Sequence, residues 1–527
     1  MSPTLHPEAK LSLSQKVSRL GSRLQQPEWR RYGALLGLGK MLGIAGVLFI
    51  MQFVTHTCFT HVLAADAAPV PLVPGDVVSA INTTWTLVAA FLVFGMQVGF
   101  TMLEAGFCRS RETVNVLMEC VVDTCLCGLL FYAIGFAFMF SHGNGFIGLH
   151  WFFLQGAPAT YESTGVAFLA FWIFQFAFAD TCSTICSGAM IGRTDFVGDL
   201  LYSLGVSGFI YPIIGHWAWG PDGFLALMGA PGGFLPTLGT GFHDFAGSTV
   251  VHTIGGMIAL AGAIVLGPRL GRTFKRDGGG PMMPHDLTIA ASGGLLLWFG
   301  WYGFNPGSTL SAMDYVGIGR VAANTTLAAC AGGLIAMFCA WIPSKKWDVS
   351  FTVNGFLAGL VAITCPCYWV SPTGAILLGG IAGIVVYAGV ELLEYLRIDD
   401  PIGAVPVHGM CGIWGTWSLG LFASGQYGAT GVLAPDNSVP LKGLFYGGGT
   451  MLLKAQIIGN GIITLATLAI ALVLMYGIHF LTGRLRVSKE GELYGLDLHE
   501  HGISAYPEYV ISSLGAPAGT SAENVGH

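Results

Sequence analysis

Long blocks of apolar residues, each about as long as a bilayer is thick, constrain this chain more than any other feature. Roughly 20 consecutive apolar residues are needed for a helix to cross the hydrocarbon core, and such runs recur between residues 83 and 482. They are continuous blocks, not amphipathic stripes. Only 10% of the 527 residues are charged, against about 25% in a soluble domain, too few to keep a surface in water. Glycine contributes 77 residues, about double the usual share. Small residues let transmembrane helices approach closely, so the expectation is a tight helical bundle. Twelve cysteines would mean disulfides in a small secreted protein. Here most of them fall inside apolar spans, where they read as small buried hydrophobes. The pairs Cys125/Cys127 and Cys365/Cys367 are weak metal signals, and no metal site is expected.

The apolar blocks predict about eleven spans, near 83–107, 114–140, 164–191, 195–219, 245–267, 284–306, 315–343, 351–372, 376–395, 402–424 and 453–482. Connections after odd-numbered spans carry Arg109, Arg111, Arg193, Arg269, Arg272, Lys275, Arg276, Lys345, Lys346 and Arg397. Those after even-numbered spans hold almost none beyond Arg320, Lys442 and Lys454. By the positive-inside rule the mature N-terminus lies outside the cell and the C-terminal tail, residues 483–527, in the cytoplasm. The chain is thus expected in the cell (inner) membrane as a multi-pass protein. Residues 1–66 differ from the rest. Lys10, Lys16, Arg19, Arg23, Arg30, Arg31 and Lys40 precede a short apolar run at 41–54, and small residues follow at 62–67. That layout predicts a signal peptide cleaved near Ala65 or Ala67, or else a basic N-terminal extension with an added span. Residues 67–482 form the membrane domain.

One repeat is visible inside it. Asp244, Gly247, Val251, His252 and Gly256 recur at identical spacing as Asp400, Gly403, Val407, His408 and Gly412. The copies open the fifth and tenth spans. Five spans, an odd number, separate them, so they enter the membrane from opposite sides. The expected fold is therefore all-α: eleven transmembrane helices, an inverted five-helix repeat plus a final helix. In such folds the ligand path lies at the repeat interface.

An ionisable group within a span is costly and is a functional candidate by default. A lone buried histidine is more simply a satisfied core residue, but His252 and His408 occupy equivalent positions, about eight residues into their helices. Inverted symmetry would bring them together as two imidazoles able to share a proton. Asp244 and Asp400 precede them by two turns, where a carboxylate caps free backbone N–H groups. Asp244 would also bias an outer vestibule towards cations. Phe174 and Phe178 share one face of an aromatic third span. Trp219 ends the fourth span, and Phe304 and Ser308 end the sixth. On spacing alone lipid packing explains these as well as a cation site would.

Longer stretches decide between those readings. Residues 99–106, 180–190, 244–252, 300–308 and 407–415, with Gly495-Leu496-Asp497, Glu500-His501-Gly502 and Ala505-Tyr506 in the tail, resemble the ammonium transporter (Amt/Mep/Rh) family. The likeness covers about 83–507. It implies a homotrimer for nitrogen uptake, each subunit with its own narrow pore for ammonium or ammonia. By matched positions, Phe178, Trp219 and Ser308 resemble the family's outer recruitment site, supported by Asp244. Phe178 and Phe304, with Phe174 beside them, resemble the pore gate, and His252 and His408 resemble the paired pore histidines. Trp219 favours the ammonium-transporter branch over Rhesus proteins. The resemblance also implies a PII-type signal protein docking at the cytoplasmic face, near the tail and the loops bearing Arg269–Arg276 and Lys345–Lys346. Glu119 stands where relatives commonly have Lys, and Cys182 and Cys186 replace small residues.

Carrying a bare cation into a low-dielectric medium costs on the order of tens of kcal/mol in the Born limit. Ammonium, unlike potassium, can shed a proton and cross as a neutral molecule. The expected mechanism is recruitment of NH4+ by ring contacts and a serine oxygen, deprotonation, and passage of NH3, with the proton carried along the histidine pair as the resemblance implies. Rival readings are an ammonium sensor, for which a tail of about 45 residues offers no fused signalling domain, and a neutral gas channel. No nucleophile–base pair, cofactor motif or nucleic-acid signature appears, so neither an enzyme nor a cofactor is expected.

Overall fold

A computed structural model of the chain describes residues 74–161, 164–239, 241–426 and 440–507. The predicted leader at 1–66 lies outside them. Helices dominate. The first span opens earlier than the hydropathy placed it, as α1 (Pro74–Phe94), and continues past Gly95 as α2 (Met96–Phe107). The second runs as α3 (Thr113–Leu130), a π-helical turn at Phe131–Gly135 and α4 (Phe136–Phe140). A small antiparallel ribbon, β1 (Gly143–Asn144) and β2 (Ile147–Gly148), follows. The aromatic span is α5 (Phe168–Gly188). Next come α6 (Phe196–Gly205), a π segment at Val206–Ile210, and α7 (Tyr211–Trp219).

Beyond these lie α8 (Ile254–Leu266), α9 (Leu287–Gly307), α10 (Tyr315–Ser344), α11 (Val349–Thr364) and α12 (Pro372–Leu396). They are followed by α13 (Cys411–Phe422) and α14 (Met451–Thr482). Carboxylates or hydroxyls cap several of these helices: Asp195 at α6, Asp286 at α9, Asp314 at α10, Asp348 at α11 and Ser371 at α12 each accept from first-turn N–H groups. Such caps satisfy donors that would otherwise be orphaned and fix where each helix starts. Among the described residues nine helical segments are long and apolar enough to cross a membrane, and α11 is a shorter apolar one. The eighth predicted span therefore ends early, at Thr364, two residues before Pro366.

Close packing rests on small residues. A Cβ on Gly359 of α11 or Gly379 of α12 would stand 2.2 or 2.3 Å from the Ala328 carbonyl oxygen of α10, so this helix trio meets backbone to backbone. The tail folds back as α15 (Lys489–Tyr494) and α16 (Leu496–Glu500). There Asp497 Oδ1 accepts from Asn115 N at 3.0 Å, and Arg111 Nη1 donates to Leu493 O at 2.8 Å. The neighbouring loops carry a buried ion pair, Arg269 Nε and Nη2 on the two oxygens of Asp399 at 2.8 and 2.9 Å. Burial alone would raise the Asp399 carboxyl. The Arg269 hydrogen bonds and charge, with Arg193 behind them, outweigh it and hold the group well below the usual carboxylate range.

Candidate functional site

The two repeat copies fold alike. Gly247 has φ 113° and Gly403 φ 84°, left-handed values that favour glycine. Each turn feeds a π-helical segment, Ser248–Thr253 ahead of α8 and Val405–Met410 ahead of α13. The aspartates sit outside the helices as caps. Asp244 accepts from Gly247 N, Thr249 N and Val250 N at 3.0, 2.9 and 2.9 Å. Asp400 accepts from Gly403 N, Ala404 N and Val405 N at 3.0, 3.1 and 2.8 Å. The histidines consequently lie nearer their helix starts than expected, His252 fifth in its π segment and His408 fourth.

The glycines of the repeat bring the copies together. A Cβ at Gly256 would stand 2.2 Å from Gly409 N, and one at Gly412 2.4 Å from Ser248 O. Each glycine therefore lies where its own helix crosses the other copy. At that crossing His408 Nδ1 and His252 Nδ1 are 3.2 Å apart, with ring centroids at 5.3 Å. Both rings are buried. A nitrogen–nitrogen hydrogen bond between neutral imidazoles requires one N–H and one lone pair, so the rings hold opposite tautomers at Nδ1 and hence at Nε2. His252 Nε2 has no protein partner among the described residues.

Four rings stack in series. Phe178 lies on Phe304 at 4.1 Å and 27°, Phe304 on His252 at 5.4 Å and 25°, and His252 on His408 at 23°. Phe174 tilts against Phe178 at 4.7 Å. Above this stack is a cavity of about 410 Å³ whose walls include Phe174, Phe178, Trp219, Asp244 and Ser308. Phe304, His252 and His408 do not line it; they lie past Phe178. Trp219 meets Phe178 edge-on at 6.0 Å, and its indole N–H is held on Asp244 O at 2.8 Å. Ser308 Oγ donates to Phe304 O at 2.8 Å, leaving its lone pairs to accept from a donor in the cavity. All eight predicted residues thus belong to one continuous arrangement, five on the cavity wall and three past Phe178.

Two further rings had no role predicted from the sequence. Trp301 stacks on His252 at 5.2 Å and 20°, its N–H donating to Thr364 Oγ1 at 2.9 Å, and Phe100 lies 6.4 Å from His408. Both fall within stretches that carry the family likeness, which was the available signal. A polar brace was missed altogether. Thr249 and Thr416 hydroxyls lie 2.6 Å apart, and Asn460 Nδ2 of α14 donates to Thr249 at 3.0 Å. This brace ties the last helix to both copies, and no spacing pattern in the sequence announces it.

Comparison with known proteins bears on the family and the fold. The family model described as Ammonium Transporter Family matches residues 84–506. The chain is 42% identical over 442 residues to ammonium transporter Amt2 of Archaeoglobus fulgidus, covering 83% of this chain and 90% of that protein. It is 40% identical over 419 residues to ammonium transporter 1 member 1 of Arabidopsis thaliana, covering 77% and 81%. Among solved structures, a protein titled Sensor Amt Protein superposes with a TM-score of 0.71 at 34% identity, covering 81% of this chain and 99% of that one. Mep2 of Saccharomyces cerevisiae superposes at 0.68 and 27% identity, covering 78% and 88%.

Proposed function

The chain belongs to the ammonium transporter family, and from that premise we propose that it carries ammonium across a membrane through the ring-lined path described above. The observation that carries the proposal is the serial stack Phe178–Phe304–His252–His408, leading from a cavity wall to a buried proton-sharing pair. In this reading NH4+ enters the cavity, held by the faces of Phe178 and Trp219 and by Ser308 Oγ, with the Asp244 carboxylate favouring positive charge. Phe178 and Phe304, beside Phe174, form the gate. Beyond it, among the described residues, no carboxylate contacts Phe304, His252 or His408, so a cation there would go uncompensated. The ion gives up its proton, NH3 crosses, and the proton moves along the Nδ1–Nδ1 contact, making net transport electrogenic.

The same reading takes the helices as eleven spans built from an inverted repeat plus α14, with the short α11 and the π–α13 segment completing the count. It places the tail in the cytoplasm, three copies in one assembly, and residues 1–66 as a leader or extension. A PII-type partner would meet the tail face at Lys345 and Lys346. Arg269, Arg272 and Lys275 already pair with Asp399, Glu394 and Glu391. The structural likeness to a protein titled Sensor Amt Protein favours a second reading, ammonium binding without transport. Current recorded from reconstituted protein separates the two. Transport predicts an ammonium-evoked current and none with K+; saturable ammonium binding with no current or flux supports the sensor.

A further inference from the structure

Away from the ring path, α2, α3, α5 and α6 enclose five carboxylates. Glu104, Glu119, Asp123, Asp180 and Asp199 are each no more than 5% exposed. Among the described residues no Lys or Arg ion-pairs with any of them, and their electrostatic neighbours are one another. Hydroxyls and amides supply what contacts exist. Ser187 Oγ donates to Glu104 at 3.1 Å, and Asn115 Nδ2 to Glu119 at 2.7 Å. Ser183 Oγ donates to Asp123 at 2.8 Å and is followed by Ser207 Oγ at 3.1 Å. Tyr202 donates to Asp199. The other titratable groups facing the cluster are thiols, Cys120 and Cys127 of α3 and Cys182 and Cys186 of α5.

A second observation concerns Asp180. Among the described residues both of its carboxylate oxygens are fully buried without a hydrogen bond of good geometry, and so is the amide nitrogen of Gln97; the groups facing that carboxylate are this amide and the Thr124 hydroxyl, neither of them a cation. Ionised carboxylates in this setting, five without a base, would leave several uncompensated charges in an apolar layer. Each costs several kcal/mol or more. Something positive must be bound, and the partners present are hydroxyls and an amide arranged pairwise, with no set of three ligating side chains positioned around a common metal centre among the described residues.

The cluster also reaches the surface by hydrogen bonds. His501 of the tail, part-buried against Phe196 at 5.0 Å, contacts Asn115 Oδ1 through Nε2 at 2.9 Å, and the Asn115 amide donates to Glu119. Asp497 accepts from the Asn115 main chain. From Glu119 the carboxylates run inward to Asp180, two residues past Phe178 and on the other side of α5.

We propose that Glu104, Glu119, Asp123, Asp180 and Asp199 form an intramembrane proton-binding site, separate from the His252–His408 pair, that opens to solvent on the tail side, where His501 holds the Asn115 amide as a cover over Glu119. Each proton taken up converts one carboxylate to a neutral acid that can donate to its neighbour. The site's orientation rests on the transport reading above, but its proton content does not.

Infrared difference spectroscopy of the full-length protein, without ammonium, reads the protons directly. The expected result is a carboxylic-acid C=O absorption at neutral pH that shifts in D2O. Asp180→Asn and Asp123→Asn should each lose part of that absorption while the assembly keeps its melting temperature, because the amide matches a protonated acid in shape. Where either fails to fold, Glu119→Gln reads the same band. His501→Ala, which loosens that cover, should speed the D2O shift. Three results would overturn the proposal: no acid absorption at neutral pH, full intensity in both Asn variants, or an unchanged exchange rate without His501. A melting temperature raised by Na+ with no acid band would assign the missing charge to a metal cation instead.

Discussion

At the residue scale, one cavity-wall side chain separates a cation site from mere aromatic packing. Trp219 presents its edge to Phe178 and is pinned by a hydrogen bond from its indole to the Asp244 carbonyl. Cation–π contacts are worth about 0.5–2 kcal/mol each, so Trp219→Leu should raise the ammonium concentration for half-maximal transport roughly 2- to 30-fold. Trp219→Phe, which keeps a ring but loses the pin, should fall between. Half-saturation unchanged in the Leu variant would place recruitment elsewhere. The two aspartates were legible as caps because an acid before a helix start has one common structural use, and three N–H groups converge on each. The buried acids around Asp180 were not, since they are spread over four apolar spans, with only Glu119 and Asp123 sharing one, and only folding reveals that they face one another.

At the element scale, the repeat works because small residues let two broken helices cross. The Gly256 and Gly412 positions would drive a side chain into main-chain atoms of the other copy, and backbone cannot rotate away as a side chain can. Overpacking a core costs about 1–3 kcal/mol. Gly256→Val should therefore lower the melting temperature and part the histidines, so that transport per folded molecule falls too. Wild-type stability and transport would show that the crossing is looser than it looks. Most spans were readable from apolar runs because lipid imposes length directly. Their ends were less so. The first helix starts earlier, at Pro74, and the eighth stops at Thr364, since caps and prolines, not hydropathy, set the boundaries. The π geometry at both histidine segments carries no period a sequence scan detects, and it moved the histidines towards their helix starts.

At the scale of the whole molecule, the tail-side loops hold together through charge. Asp399 has its carboxyl depressed in the folded protein by Arg269 and Arg193 against the opposing effect of burial. A depressed acid contributes stability above its unfolded value, near 4, and that contribution is lost as pH falls from there towards the folded value. Removing one partner of a buried pair costs about 3–5 kcal/mol. Asp399→Asn should melt well below the parent at neutral pH, and the gap should narrow below about pH 4; a gap independent of pH would mean the pair contributes through shape alone. The proposed transport depends on the His252–His408 contact. If it is one proton relay, the two substitutions act on a single step and their effects cannot add. The deciding measurement is ammonium-evoked current per quantity of reconstituted protein for His252→Ala, His408→Ala and the double variant. The relay predicts that each single variant loses the current and that the double is no worse than either. Normal current in the double variant would contradict it.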